Sequence, residues 1–278
     1  MSGGQSKKRN GAGVFRALIK GHNASSMRAA GLILFGVSIF TYAFAIQGVK
    51  MTPTAAILYS LGGTIPQITD SLSVSLQILP VLIALLIWGK YLNNELCFRC
   101  QMILPKCQSV SIWYISLLAG MGLYSAVLAI IGLLASGLGG LIVQEVFYRF
   151  GIIDTTNFLS LTECAGSQIP LESLSNVLLV FVLFFLRIFI LLLVQFVTWL
   201  ISGKPNAAII TTLFFAAISL FSPKLFYLPV GGTMFFGSVN ERYGAVTGLA
   251  FGVMYLLLFA LTGWLYCKKT DWLMKFNH

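Results

Sequence analysis

The chain has 278 residues, 58% of them hydrophobic and only 9% charged, with a mean hydropathy of +0.89. So little charge cannot cover a water-soluble fold of this length, which excludes an ordinary soluble domain and points to a polytopic membrane protein. The formal charge of +10 does not argue for nucleic acid, because the cations sit in short runs beside apolar stretches and not on one soluble basic face.

Ser2–Gly13 is rich in Gly, Ser and Lys and reads as an unstructured tail. Val14, Phe15, Leu18 and Ile19 follow at helical spacing, opposite Arg16 and Lys20. This predicts a short amphipathic helix in the inner interface; a frayed extension of the first span fits the same pattern. No cleavable signal peptide is expected, since about 28 polar or amphipathic residues precede the first apolar run.

Six stretches are apolar enough to cross a membrane core as helices of roughly 20 residues: Ala29–Gln47, Leu72–Leu92, Ser111–Val143, Ser175–Ser202, Ala207–Tyr227 and Tyr243–Cys267. The third is longer than a bilayer needs and either tilts or continues outside through Glu145–Phe150. The expected fold is all-α and polytopic: six transmembrane helices, the N-terminal interfacial helix and a short cytoplasmic helix. Residues 1–28 form a cytoplasmic tail with that interfacial helix, 29–267 the transmembrane domain and 268–278 a second tail. Lys7, Lys8, Arg9, Arg16, Lys20 and Arg28 precede the first span, and Lys90, Arg99, Lys106, Lys204, Lys268, Lys269 and Lys275 fall on the same side. The opposite loops carry Asp70, Glu145, Asp154, Glu163, Glu172 and Glu241. The positive-inside rule then puts both termini in the cytoplasm of a multi-pass protein of the cell membrane.

No run matches GxxxxGK[ST], so the chain is expected to bind no nucleotide through a P-loop of its own. Its only histidines are His22 and His278, both outside the spans, which removes a HExxH site. No paired carboxylates lie inside a span, which disfavours a proton-coupled pump. No catalytic residue and no cofactor in this chain is therefore expected. Cys97, Cys100, Cys107 and Cys267 lie on the reducing side and Cys164 outside. One CxxC without a second is a weak zinc signal, so no metal is expected and the cysteines read as small, soft packing residues.

Two polar residues interrupt the fourth span. Arg187 sits at its middle and Gln195 two turns further on. A central arginine costs about 3 kcal/mol on insertion scales, so it must face protein or water. It either lines a substrate path, together with Gln195, or pairs with a carboxylate at a subunit interface, or is satisfied by backbone carbonyls of neighbouring helices. Gly244, Gly248 and Gly252 form a small-residue face on the sixth span, and Gly132, Ser136 and Gly140 a similar one on the third. Such faces let helix backbones approach closely, here most simply within one chain. Two outer segments, Val49–Ser71 and Phe221–Phe236, are apolar but broken by Pro and Gly-Gly pairs. Each is expected to re-enter the membrane or lie at its outer surface, covered by protein.

The stretch NNELCFRCQMILPKCQS, Asn93–Ser109, is longer than a hairpin needs. Leu96, Arg99 or Cys100, and Ile103 share one side of a short helix that Pro105 ends. A soluble partner could grip such a helix; a connector touching headgroups is the plainer reading. The order of features, with Glu95 through "Leu104-Pro105-Lys106" and the Lys204-Pro-Asn-Ala-Ala-Ile-Ile turn, resembles the membrane subunit of an ABC-2-type ATP-binding-cassette exporter, of the compact kind found in Gram-positive bacteria. That resemblance implies a permease that pairs with an identical or related second permease and sits on an ATPase subunit, which binds the ATP. It would export a peptide or antibiotic, or confer immunity to one. It implies that Asn94, Glu95, Phe98, Arg99, Met102 and Leu104 belong to a coupling helix docking on that ATPase. The central Arg187 and the cysteine-rich coupling region depart from the family pattern. The other reading is a stand-alone membrane interaction or immunity protein, or a secondary transporter; the latter should show an internal repeat.

Overall fold

The computed structural model describes residues 24–45, 53–62, 71–94, 109–142, 145, 174–221 and 244–269. Among them every regular element is a helix: α1 (Ala24–Ala45), α2 (Pro53–Gly62), α3 (Ser71–Asn94), α4 (Val110–Ile142), α5 (Leu174–Ser202), α6 (Pro205–Phe221) and α7 (Gly244–Lys269). A helix stands at each of the six apolar stretches, and α2 is a seventh, inside the broken Val49–Ser71 segment. Within the described residues, three stretches are long and apolar enough to cross a membrane: Val110–Ile142, Ser175–Ser202 and Thr247–Lys269. These make the chain a membrane protein. The proposed interfacial helix, the 95–108 segment, residues 146–150 and the outer segment 222–236 lie outside the described residues.

Local chemistry sets several helix ends. Ser109 caps α4, its hydroxyl accepting from the Ile112 amide at 3.3 Å, as an N-cap serine does for the third helical residue. α5 ends on Gly203, whose positive φ of 67° lets its amide donate back to Trp199 O at 2.8 Å, the single-bond glycine stop of a helix. Pro205 then opens α6, where its missing amide hydrogen costs nothing. α5 and α6 are thereby joined by only two residues. α2 is punctuated in the same manner, with proline first and glycine last.

α5 is the hub. It packs against α2, α3, α4, α6 and α7, while α1 leans on α3 and α4. Ile190 through Val194 are all buried on α5, so this part of the helix is enclosed on every side. Outward from it, α4 shows Ile115, Leu123, Val127, Ile130 and Leu134, and α7 shows Val253, Leu257, Leu258 and Leu261. Apolar side chains on the outside as well as the inside are what a hydrocarbon solvent permits.

Candidate functional site

The least ordinary feature is α2. Ten residues span about 15 Å, half the thickness of a membrane core. Seven of them, Ala55, Ala56 and Leu58–Gly62, are buried. It lies along the second half of α4, and glycines on α4 make the fit. A Cβ at Gly140 would lie 2.6 Å from Ala56 Cβ and 3.3 Å from Pro53 Cα. Gly137 faces Ile57, and a Cβ at Gly132 would meet Phe184 at 2.8 Å and Leu61 at 3.3 Å. The small-residue face of Gly132, Ser136 and Gly140 therefore receives α2, a helix too short to span. Ser136 spends its hydroxyl on Leu133 O at 3.0 Å.

These pairings run from Pro53 at the Gly140 end to Leu61 at Gly132, so α2 descends alongside α4 and stops at the middle of the bundle. There it meets Arg187, the fourteenth of the 29 residues of α5. The Arg187 Nη2 donates to Leu61 O at 3.0 Å. The guanidinium also lies 5.5 Å from the centre of the Phe184 ring, within cation–π range. Arg187 is only 7% exposed. The last carbonyls of a helix have no partner within it and carry its negative dipole end; a cation at that point satisfies both needs. The geometry is thus of a guanidinium held by a backbone carbonyl 126 positions away in sequence. Beside it, Gly132 and Phe184 together with Ser38 and Pro80 line a cavity of about 20 Å³, room for one water.

Gln195 is placed differently. It is 1% exposed, and its Nε2 donates to Leu85 O of α3 at 3.3 Å. The amide sits close against α3: a Cβ at Gly89 would come within 2.7 Å of that nitrogen. Gln195 Oε1 accepts no hydrogen bond among the described residues, and the nearby Trp88 Nε1 donates none. Trp88 instead stacks on Tyr124, centroids 5.0 Å apart, whose hydroxyl donates to Ala84 O at 3.2 Å. Arg187 and Gln195 thus tie α5 to two different partners, and both are buried. Gly89 is not among the sequence candidates; a glycine within an apolar span is the one signal the sequence offers for it.

No family model matches the chain. Neither a curated protein nor a solved structure matches it. Likeness to known proteins therefore assigns no family here.

The remaining sequence candidates divide simply. Gly248 and Gly252 are buried on α7, which packs on α5 and α4; Gly244 begins α7 and its surroundings lie outside the described residues. Gly263, further along, makes room for Tyr114, whose hydroxyl donates to Ala260 O. Asn94 ends α3 and is exposed, while Glu95, Phe98, Arg99, Met102 and Leu104 lie outside the described residues. Among the described residues no group of His, Cys, Asp and Glu could hold a metal. Cys267 is buried at the end of α7; Cys97, Cys100, Cys107 and Cys164 lie outside the described residues.

Proposed function

We propose that the chain is the membrane-spanning permease of an ATP-binding-cassette exporter, with six spans, both termini in the cytoplasm and the substrate path built with a second permease, identical or related. The observation that carries a transport reading is α2 itself. An inert anchor has no use for a buried half-helix ending at mid-depth on a charged residue, whereas transporters use interrupted helices near the midplane. Energy would come from a separate ATPase, since this sequence has no P-loop. That ATPase would dock on the segment after Asn94, through Glu95, Phe98, Arg99, Met102 and Leu104.

The same half-helix also favours secondary transport as the second reading, because ion-coupled carriers use helix ends at the midplane. One experiment separates them. The tagged chain, purified from its own host in mild detergent, should bring an ATPase subunit in equal amount, with nucleotide hydrolysis in liposomes. Glu95→Ala or Phe98→Ala should abolish the coupling of that hydrolysis to transport while the protein stays folded. A chain that purifies alone and moves its substrate on an ion gradient would replace the exporter reading with the carrier reading.

A further inference from the structure

Of the three long helices, α7 is the least covered: 17% of its most apolar stretch is buried, against 61% for α5. Met254, Leu257, Leu258, Leu261 and Leu265 are each between 44% and 61% exposed, and steps of three and four keep them on one stripe. Thr262 lies among them, but its hydroxyl donates to Leu258 O at 2.8 Å, so the stripe needs no polar neighbour. From Met254 to Leu265 it runs about 16 Å, the depth of one leaflet of a core roughly 30 Å thick.

The stripe ends in a change of chemistry. Lys268 Nζ lies 5.1 Å from the centre of the Trp264 ring, which holds the ammonium beside the helix. Lys269 follows, and both lysines are exposed. α5 brings another cation to the same end. Val197 Cγ2 is 3.3 Å from the position of a Cβ at Gly263, so these helices run side by side, and Lys204, also exposed, stands just past the end of α5. An apolar stripe one leaflet long, with an aromatic ring and lysines at its end, matches an acyl chain with an anionic headgroup.

We propose that this face of α7 is a binding surface for an anionic phospholipid, its acyl chain along Met254–Leu265 and its phosphate on Lys268 and Lys269 beside Trp264. Two observations favour lipid over a second copy of the chain. The residues that drive helix association in a membrane are small, and on α7 Gly248, Gly252 and Gly263 are turned inward. A twofold contact along the stripe would also set one Lys268–Lys269 pair against another, and like charges juxtaposed oppose association.

The test uses the purified, delipidated full chain in mild detergent. Native mass spectrometry would measure binding of phosphatidylglycerol and phosphatidylcholine with the same acyl chains. Phosphatidylglycerol is expected to bind tighter, and the preference to fall about fivefold for each lysine removed in K268Q and K269Q. K90Q, on α3 and away from α7, should keep it. Leu257→Ala with Leu261→Ala should weaken both lipids alike, and glycerol phosphate, a headgroup without chains, should not compete. Because the lysines are exposed, the variants should melt as the parent does without lipid, which separates lost binding from lost fold. Equal affinity for the two lipids, an equal loss in K90Q, competition by glycerol phosphate, or a dimer that parts when Leu257 and Leu261 are changed would each overturn the proposal. None of these results depends on whether the chain works with an ATPase.

Discussion

α5 and α7 are both apolar along nearly their whole length and lie side by side, yet their surroundings are opposite. α5 packs against five helices; of the most apolar stretch of α7 only 17% is buried. Hydrophobicity does not explain the difference, because a leucine gains little by leaving lipid for protein. Polar groups and glycines explain it better. α5 carries Arg187 and Gln195, each needing a carbonyl from a neighbour, so it must be surrounded. α7 carries its glycines on one side, so it can be approached closely from that side only. In this chain, packing follows the few residues that lipid cannot satisfy.

Arg187→Met gives the sharpest test of that contrast. It removes a charged hydrogen bond to a buried carbonyl and should cost about 1.5–3 kcal/mol, read as reversible unfolding in mixed micelles. Recovery of most of the loss in Arg187→Lys would show that the cation at the α2 end matters more than the guanidinium shape. A variant as stable as the parent would mean that α2 needs no such anchor. Next comes the glycine bed. Gly140→Ala forces a methyl against Ala56 and the backbone of Pro53 and should cost about 1–3 kcal/mol. Gly120→Ala, with nothing within 4 Å of the added carbon, should be neutral or stabilising, since alanine favours helix by about 1 kcal/mol. Equal effects at the two sites would remove the case for close α2–α4 contact.

Gln195→Leu should have a smaller effect. The bond to Leu85 is long at 3.3 Å, and the amide oxygen makes none among the described residues. Interhelical side-chain bonds in membranes average about 0.6 kcal/mol, and leucine removes both polar atoms at once, so the change should fall near or below that figure. A loss as large as that of Arg187→Met would reveal a further partner for Gln195.

The same logic marks what the sequence could carry. The positions of α1, α3, α4, α5, α6 and α7 were readable because long apolar runs separated by charge are the direct imprint of a membrane. So was the small-residue face on α4, although its partner was not: steps of four reveal close packing but not what packs. α2 was read as a broken apolar segment because ten residues fall below the length of a span. Its punctuation, Pro53 at the start and Gly62 at the end, was the overlooked signal. For Arg187, a backbone carbonyl of a neighbouring helix is one of the partners the sequence allows, but which carbonyl is not legible. Its acceptor is a backbone carbonyl, which every residue possesses, and only the fold brings Leu61 to it. The coupling role proposed for Glu95 and Phe98 comes from the resemblance in sequence, and both residues lie outside the described ones.

The smallest expected effect lies on the outer stripe of α7. Leu257 is 61% exposed, and truncating it to alanine exchanges side chain–lipid contact for lipid–lipid contact. No cavity forms, since fluid chains close over the gap, so the cavity penalty that dominates core truncations does not arise. Leu257→Ala should therefore change stability by less than about 0.5 kcal/mol, measured in the same micelles as Arg187→Met. A loss of several times that size would show that Leu257 packs against protein and not lipid. That result would place a second chain on α7, and the lysines at its end would then need counter-charges from that chain.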